Sequence, residues 1–398
     1  VKNFIASSLV GSAKVPLSKS TVTKIYNDDE IKTCLESLNN LKEKNPAFSE
    51  FIDLSTLTLK NEFSANISYC ESKKSPKYLF RIDLSSQLKG QFKAPEQHFI
   101  FVIDGSNSIK KERFKAFING VKKSLVYLSP QDTFDIIISG KETLSLFRKP
   151  KLANPSNIKE VVKSLNLCSY DGYFSKTDPF TLLKKITPRL SSEKENFVLY
   201  LTDGKSFHSL EDSKNGFKEL LCTQKSNLTL FTACASNDNN IPALDILSAF
   251  CGGKVLHSNT NASFARKLAI QVKNIKSQFA SNIRITLVPA FPEGSCKLDV
   301  LPDSSMHQNL YLKENFTVYG TTDKLCDLKL IIQGQYGQQW VNIIENISFD
   351  EKNKCSINSL SEANRKKGYF CFKNYFMKDD PYYFKNAHIF MNQAKKMP

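Results

Sequence analysis

The sequence predicts an α/β fold: a doubly wound, mostly parallel sheet with antiparallel β strands before and after it. Three observations carry this. Continuous apolar runs at 99–103, 197–201 and 228–233 are each one strand long and have no polar face, the mark of strands covered on both sides. Helix-period segments alternate with these runs over about 180 residues, which is the pattern of an open parallel sheet with helices on both faces. Outside that stretch the apolar period changes to two, as at Phe63, Ala65, Ile67 and Tyr69, which suits strands with one solvated face.

Taken in order, residues 1–24 are polar and without period. Asn27 and Glu30 form a capping-box pair ahead of Ile31, Cys34, Leu35 and Leu38, predicting one helix in the N-terminal segment 1–50. Alternation over 63–69 and 78–84, joined by Ser-Lys-Lys-Ser-Pro, predicts a hairpin within a β segment at 51–96. Strand 99–103 then ends at Asp104-Gly105. A helix follows, with Phe114, Phe117, Ile118, Val121, Leu125 and Leu128 on one face, and Pro130 stops it. Next come strands at 134–138 and 143–147, a helix at 158–165 opened by Asn154-Pro155, and a helix starting near Pro179. Strand 197–201 ends at Asp203-Gly204. A helix at about 211–222, strand 228–233, helix 242–250, a short strand 254–257 and helix 261–279 complete a unit spanning 97–280. Alternation at 282–288, 315–319, 328–332 and 341–349, with Pro-Glu-Gly, Pro-Asp-Ser and Gly-Gln-Tyr-Gly turns, predicts antiparallel strands of a β-sandwich in 281–352. The C-terminal segment 353–398 reads as holding one short helix, at about 384–396.

Composition narrows the class. The 398 residues carry 55 Lys+Arg against 39 Asp+Glu, a formal net charge of +16, with 41% hydrophobic and 11% aromatic residues. This is a core-forming globular chain, and disordered, collagen-like and disulfide-dense small-protein classes are excluded. The basic pairs, from Lys73-Lys74 to Lys395-Lys396, are scattered and interleaved with acids. The charge therefore reads as a solvated basic surface with a weak pull on acidic partners and no specific nucleic acid. No stretch approaches 18 apolar residues, so no transmembrane segment is expected in this chain. The chain opens at Val1 rather than Met, which leaves open a signal or membrane anchor upstream. Ten cysteines occur without a C-x-x-C, against zinc-ribbon and thioredoxin-type readings. Cys222, Cys234 and Cys251 lie in apolar runs and read as small buried hydrophobes. In an oxidising compartment the expected pairs are Cys296 with Cys326 and Cys355 with Cys371.

The chemistry concentrates at the carboxyl ends of the buried strands, where such sheets keep their working groups. Asp104-Gly105-Ser106-Asn107-Ser108 is D-x-S-x-S directly after a strand, and presents one carboxylate and two hydroxyls to one point. Asp203, in Leu-Thr-Asp-Gly, ends another buried strand. Thr177 lies in a loop between them, just before a helix, with Asp178 as a competing donor. Oxygen ligands with few charges suit Mg²⁺, Mn²⁺ or Ca²⁺ rather than zinc, and leave room for water or an acidic group from a partner.

These residues, in this order, resemble a von Willebrand factor type A domain with a metal-ion-dependent adhesion site, over about residues 97–280. The resemblance implies that Asp104, Ser106 and Ser108 hold a divalent cation directly, and that Thr177 and Asp203 do so directly or through water. Two positions depart from the family pattern. Asn107 stands in place of Gly, a mild change because Asn tolerates left-handed backbone. Ser175-Lys176-Thr177 stands in place of Gly-Gly-Thr and puts a positive charge near the cation. The flanks are similar to those of bacterial type A proteins and inter-alpha-trypsin-inhibitor heavy chains. In several relatives the type A domain is inserted into a β-sandwich, which implies that strands from 51–92 pack with strands from 281–350.

The expected function is divalent-cation-dependent protein binding or adhesion, without catalysis. The cation is Mg²⁺ (or Mn²⁺ or Ca²⁺), and the partner is a protein offering an acidic residue. The expected setting is a bacterial cell envelope or the extracellular space, with the cytoplasm as alternative. A metal-free scaffold is a second reading and a Mg²⁺-dependent phosphohydrolase a third. Against the third, Ser106 stands where such enzymes carry a second acid. G-x-G-x-x-G, the P-loop, G-x-S-x-G and H-E-x-x-H are all absent from the sequence.

Overall fold

Period-two alternation at the start of the described chain becomes three strands: β1 (Leu57–Leu59), β2 (Phe63–Glu71) and β3 (Tyr78–Ser86). The structure, a computed structural model, describes residues 57–396 apart from 60–61, 72–76, 88–94, 141–142, 171, 173–177, 208–212, 224–227, 292–295, 302–307, 337–338 and 356–360. The helix expected after Asn27 lies outside the described residues. β2 and β3 pair antiparallel in unbroken register from Phe63↔Ser86 to Glu71↔Tyr78. Phe80, Ile82 and Leu84, two apart on β3, are all buried, as a strand with one core face requires.

The α/β unit follows. Its elements are β4 (Gln97–Asp104), α1 (Lys111–Ser124), β5 (Thr133–Ser139), β6 (Thr143–Ser145), β7 (Lys151–Leu152), α2 (Pro155–Leu167), α3 (Pro179–Ile186), β8 (Glu195–Leu201), α4 (Lys214–Thr223), β9 (Leu228–Ala235), α5 (Ile241–Phe250), β10 (Val255–Ser258) and α6 (Asn261–Ile275). The sheet order is β10-β9-β8-β4-β5-β6, with β7 also on β5. Every pairing from β10 to β5 is parallel, and β6 and β7 run antiparallel to β5. All residues of β4 and β9 are buried, as their unbroken apolar runs require. Ile100 and Val102 join one core layer with Leu182 of α3, Phe217 of α4 and Leu247 of α5. On the opposite face Phe99 stacks on Phe197 at 5.5 Å. α1 and α6 meet through Phe117 and Phe264, 5.1 Å apart. Helix starts follow capping chemistry: Asn154 accepts from the Asn157 N–H ahead of α2, and Thr260 from the Ser263 N–H ahead of α6. After α5 the backbone passes so close to β9 that a Cβ on Gly253 would lie 2.0 Å from the Leu230 carbonyl oxygen.

The chain then returns to period-two strands: β11 (Gln278–Pro289), β12 (Leu298–Leu301), β13 (Leu310–Tyr311), β14 (Phe316–Thr322), β15 (Leu328–Tyr336) and β16 (Gln339–Ile347). They complete two sheets, β1-β16-β15-β11-β13 and β12-β14-β3-β2. β3 pairs with β14 from Leu84↔Phe316 to Tyr78↔Thr322, so strands from before and after the α/β unit share one sheet. Phe80, Ile82, Val318, Ile332 and Ile343 lie in their common core. One compact unit thus gathers the described residues up to Pro95 with Ser277–Ser304 and Asn309–Ala363. The other gathers Glu96–Lys276 and the chain from Asn364 onward.

The C-terminal segment holds two helices rather than one short one: α7 (Ser361–Lys378) and α8 (Pro381–Lys396). α7 was hidden because aromatic residues lie all round it and no clean apolar stripe marks the helix. Tyr369, Phe372 and Phe376 are buried in the α/β core, and Phe376 stacks on Phe217 at 4.9 Å. Asp245 of α5 accepts hydrogen bonds from Arg365 Nη1, at 2.8 Å, and from the Tyr369 hydroxyl.

Candidate metal centre

β4 and β8 are parallel neighbours with Ile103 opposite Leu201, so Asp104 and Asp203 emerge at the same, carboxyl end of the sheet. Asp104 is fully buried. Its Oδ1 accepts the Ser106 N–H at 2.9 Å and its Oδ2 accepts the Thr202 hydroxyl at 2.6 Å. The intervening Gly105 donates its N–H to the Ser139 carbonyl at 2.6 Å, and a Cβ there would lie 2.9 Å from that oxygen. A side chain at Gly105 would push the loop off β5. Asn107–Ile109 form one 3₁₀ turn, which sets the Ser106 and Ser108 hydroxyl oxygens 3.2 Å apart. The Ser108 hydroxyl donates to Asp203 Oδ1 at 3.2 Å, and the Lys205 N–H reaches the same oxygen at 3.0 Å.

Four of the five expected residues, Asp104, Ser106, Ser108 and Asp203, therefore sit in one local cluster. Thr177 lies outside the described residues. Asp178, its competitor, is committed elsewhere: its carboxylate caps α3, accepting from the Phe180 and Thr181 N–H groups at 3.4 and 2.8 Å. The positive φ in this loop falls on Lys110, at 63°, and not on Asn107. That turn leads the chain from the 3₁₀ segment into α1.

Sequence reasoning missed Arg113. In the sequence it is one more cation beside Lys110 and Lys111; only its burial distinguishes it. Its Nη1 donates to Asp203 Oδ2 at 3.1 Å, and its Nη2 to the Ser236 hydroxyl at 2.6 Å. Ser236 itself has φ of 63°, an uncommon conformation for serine, and its carbonyl accepts from His257 Nε2 at 2.9 Å. The guanidinium thus ties the loop after β9 to the carboxylate after β8. Thr202, quoted only as part of a motif, orients Asp104.

Burial pushes the Asp104 carboxyl above its usual range, and the Thr202 and Ser106 hydrogen bonds oppose that shift. Burial, then Asp104, push the nearby Tyr200 hydroxyl well above its usual range. Thr202 gives its own proton to Asp104, and its oxygen lies beside the buried Tyr200 hydroxyl. The Ser139 hydroxyl, paired in register with Asp104, is buried and unpartnered. The donor set is oxygen only, with two carboxylates offset by one guanidinium. Among the described residues no group of three His, Cys, Asp or Glu side chains gathers to hold a metal ion, so a cation here would rest on two carboxylates and on hydroxyls. The residues fit a hard divalent cation held by few charges.

No family model matches the sequence, and no curated protein matches it. Solved structures do. A von Willebrand factor type A protein from Catenulispora acidiphila aligns over 84% of this chain and 87% of its own, with 12% identity and a TM-score of 0.54. The chain has a von Willebrand factor type A-like α/β fold. Human COPII-coat protein Sec24c aligns over 77% of this chain and 51% of its own, at 12% identity and a TM-score of 0.47. Proximal thread matrix protein 1 from the mussel byssus, with a zinc-occupied metal-ion-dependent adhesion site, aligns over 50% of each chain at 16% identity and a TM-score of 0.39.

Proposed function

We propose that the type A unit binds a protein partner through a divalent cation, Mg²⁺ with Mn²⁺ or Ca²⁺ as alternatives. In this reading Asp104, Ser106 and Ser108 hold the ion directly. Thr177 and Asp203 hold it directly or through water, and an acidic side chain of the partner completes the oxygen shell. When bound, the cation supplies a fixed positive charge with an open coordination position. The chain's own residues do the positioning: Thr202 and the Ser106 N–H orient Asp104, Ser108 meets one oxygen of Asp203, and Arg113 holds the other. The observation that carries the reading is the hydrogen-bonded run from Ser106 through Ser108 to Asp203, beside the buried Asp104.

The unit is then a binding module and not a catalyst, working at a cell envelope or outside the cell. The net charge of +16 favours approach of an acidic partner. Among the described residues no helix is long and apolar enough to cross a membrane. One observation favours a second reading, a metal-free scaffold: the Arg113 guanidinium already compensates Asp203.

Calorimetric titration separates the two. Mg²⁺, Mn²⁺ and Ca²⁺ are titrated into the wild type, Asp104→Ala and Asp203→Ala. Saturable single-site binding that both substitutions abolish supports the cation reading. No binding to the wild type, or binding that survives both substitutions, leaves the scaffold.

A further inference from the structure

The β unit brings two thiols into contact. Cys296 Sγ and Cys326 Sγ lie 3.1 Å apart, 30 residues apart in sequence. Cys296 sits just before β12, and Cys326 between β14 and β15. β12 is a four-residue edge strand whose neighbour in the sheet is β14, with Leu298 opposite Thr322 at the end nearer the thiols. A second, independent contact joins the same two loops: the Lys297 N–H donates to Asp323 Oδ1 at 2.9 Å. Both cysteines are half-buried and pack on the core of the β unit.

We infer that Cys296 and Cys326 form a reversible intramolecular disulfide that clamps the edge strand β12 onto β14. The inference does not depend on the cation reading. The strand ladder and the Lys297–Asp323 contact already hold the sulfurs within reach, so bonding needs little backbone movement. Burial, and Cys296 beside it, push the Cys326 thiol up to about 12, so a base must take its proton before it attacks. With glutathione disulfide as oxidant, the Cys296 sulfur attacks one glutathione sulfur and releases one glutathione thiol. The Cys326 sulfur, its proton lost to solvent, then attacks Cys296 Sγ and displaces the second. Two protein thiols and one glutathione disulfide become one protein disulfide and two glutathione thiols.

The two cysteines of the other expected pair fall in different units. Cys355 lies in the β unit, its N–H bonded to the Tyr69 carbonyl and its thiol near Cys70. Cys371 is buried in the core of the α/β unit with Phe372 and Phe376. The Cys296–Cys326 bridge would close a long loop and limit the unfolded chain, which stabilises the native state.

The test uses the full chain. It is equilibrated with glutathione disulfide, alkylated without reduction and digested with trypsin, which places the two cysteines in peptides 285–297 and 325–329. The expected result is these two peptides joined, with a melting temperature that falls by roughly 5–10 °C on reduction. The Cys296→Ser/Cys326→Ser double variant should show no such fall. The inference is overturned if both peptides appear separately alkylated or carrying glutathione, or if either cysteine is found joined to another. The peptide readout uses the unaltered chain and does not require the variant to fold.

Discussion

Arg113 and Asp203 form an ion pair inside the candidate metal centre, with Nη1 3.1 Å from Oδ2 and the two side chains 7% and 0% exposed. The pair is a built-in cation on Asp203, one of the two candidate carboxylate donors. Removing the guanidinium strands a buried charge, which costs about 3–5 kcal/mol. Arg113→Met should therefore melt well below the wild type in metal-free buffer. With the competing charge gone, divalent affinity should rise about tenfold, and saturating Mg²⁺ should restore part of the lost stability. Calorimetric titration with paired thermal melts checks both directions. Affinity unchanged from wild type would show that the guanidinium is not felt at the site.

A backbone contact sets the second expectation. Gly253 has no room for a Cβ, because the oxygen 2.0 Å away belongs to the backbone of the central strand β9. Gly253→Ala must displace either the turn after α5 or β9 itself. A loss of about 2–3 kcal/mol is expected in urea titration, against a few tenths at an open position such as Gly140, where a Cβ meets nothing within 4 Å.

The third concerns pH. His98 is buried, with Nδ1 2.8 Å from the Thr133 hydroxyl and Nε2 3.0 Å from the Arg189 carbonyl. A carbonyl only accepts, so Nε2 carries the proton and Nδ1 accepts from Thr133, which is the neutral ring. Burial pushes its pKa below the ordinary value; Asp135 opposes this and Lys194 adds to it. The unfolded chain then takes up the proton first. The contribution of His98 is full above about pH 6.5 and is lost as pH falls toward the folded pKa. His98→Gln should lower stability at neutral pH and flatten its decline between about pH 7 and 5, read from denaturant midpoints across that range.

The fourth tests the helix that sequence periodicity did not reveal. Phe376 of α7 is fully buried and stacked on Phe217 of α4 with 10° between the rings. Phe376→Ala should cost about 3–5 kcal/mol. Hydrogen exchange should show the extra opening concentrated in α7 and α4. A loss under 1 kcal/mol would mean that α7 contributes little to the α/β core.

Different parts of this protein were legible to different degrees. The strands read most clearly, because β4, β8 and β9 are covered on both faces and must be apolar throughout, and no other element needs that pattern. Asp104, Ser106, Ser108 and Asp203 were legible because each lies at the end of such a strand or within four residues of it. The N-cap role of Asp178 and the commitment of Cys355 to the β unit were not, since each depends on which neighbour the fold supplies.

The sequence by itself determined the α/β class, the order of the strands along the chain and the end of the sheet where Asp104 and Asp203 emerge. These follow from local periodicity and from residues adjacent to strand ends. Only the tertiary structure decided that Arg113 turns inward to neutralise Asp203, that β3 shares a sheet with β14, and that Cys296 meets Cys326. Each of these joins residues far apart in the chain. Whether a cation such as Arg113 is solvated or buried depends on the surface it packs against, and that surface exists only once distant segments have assembled.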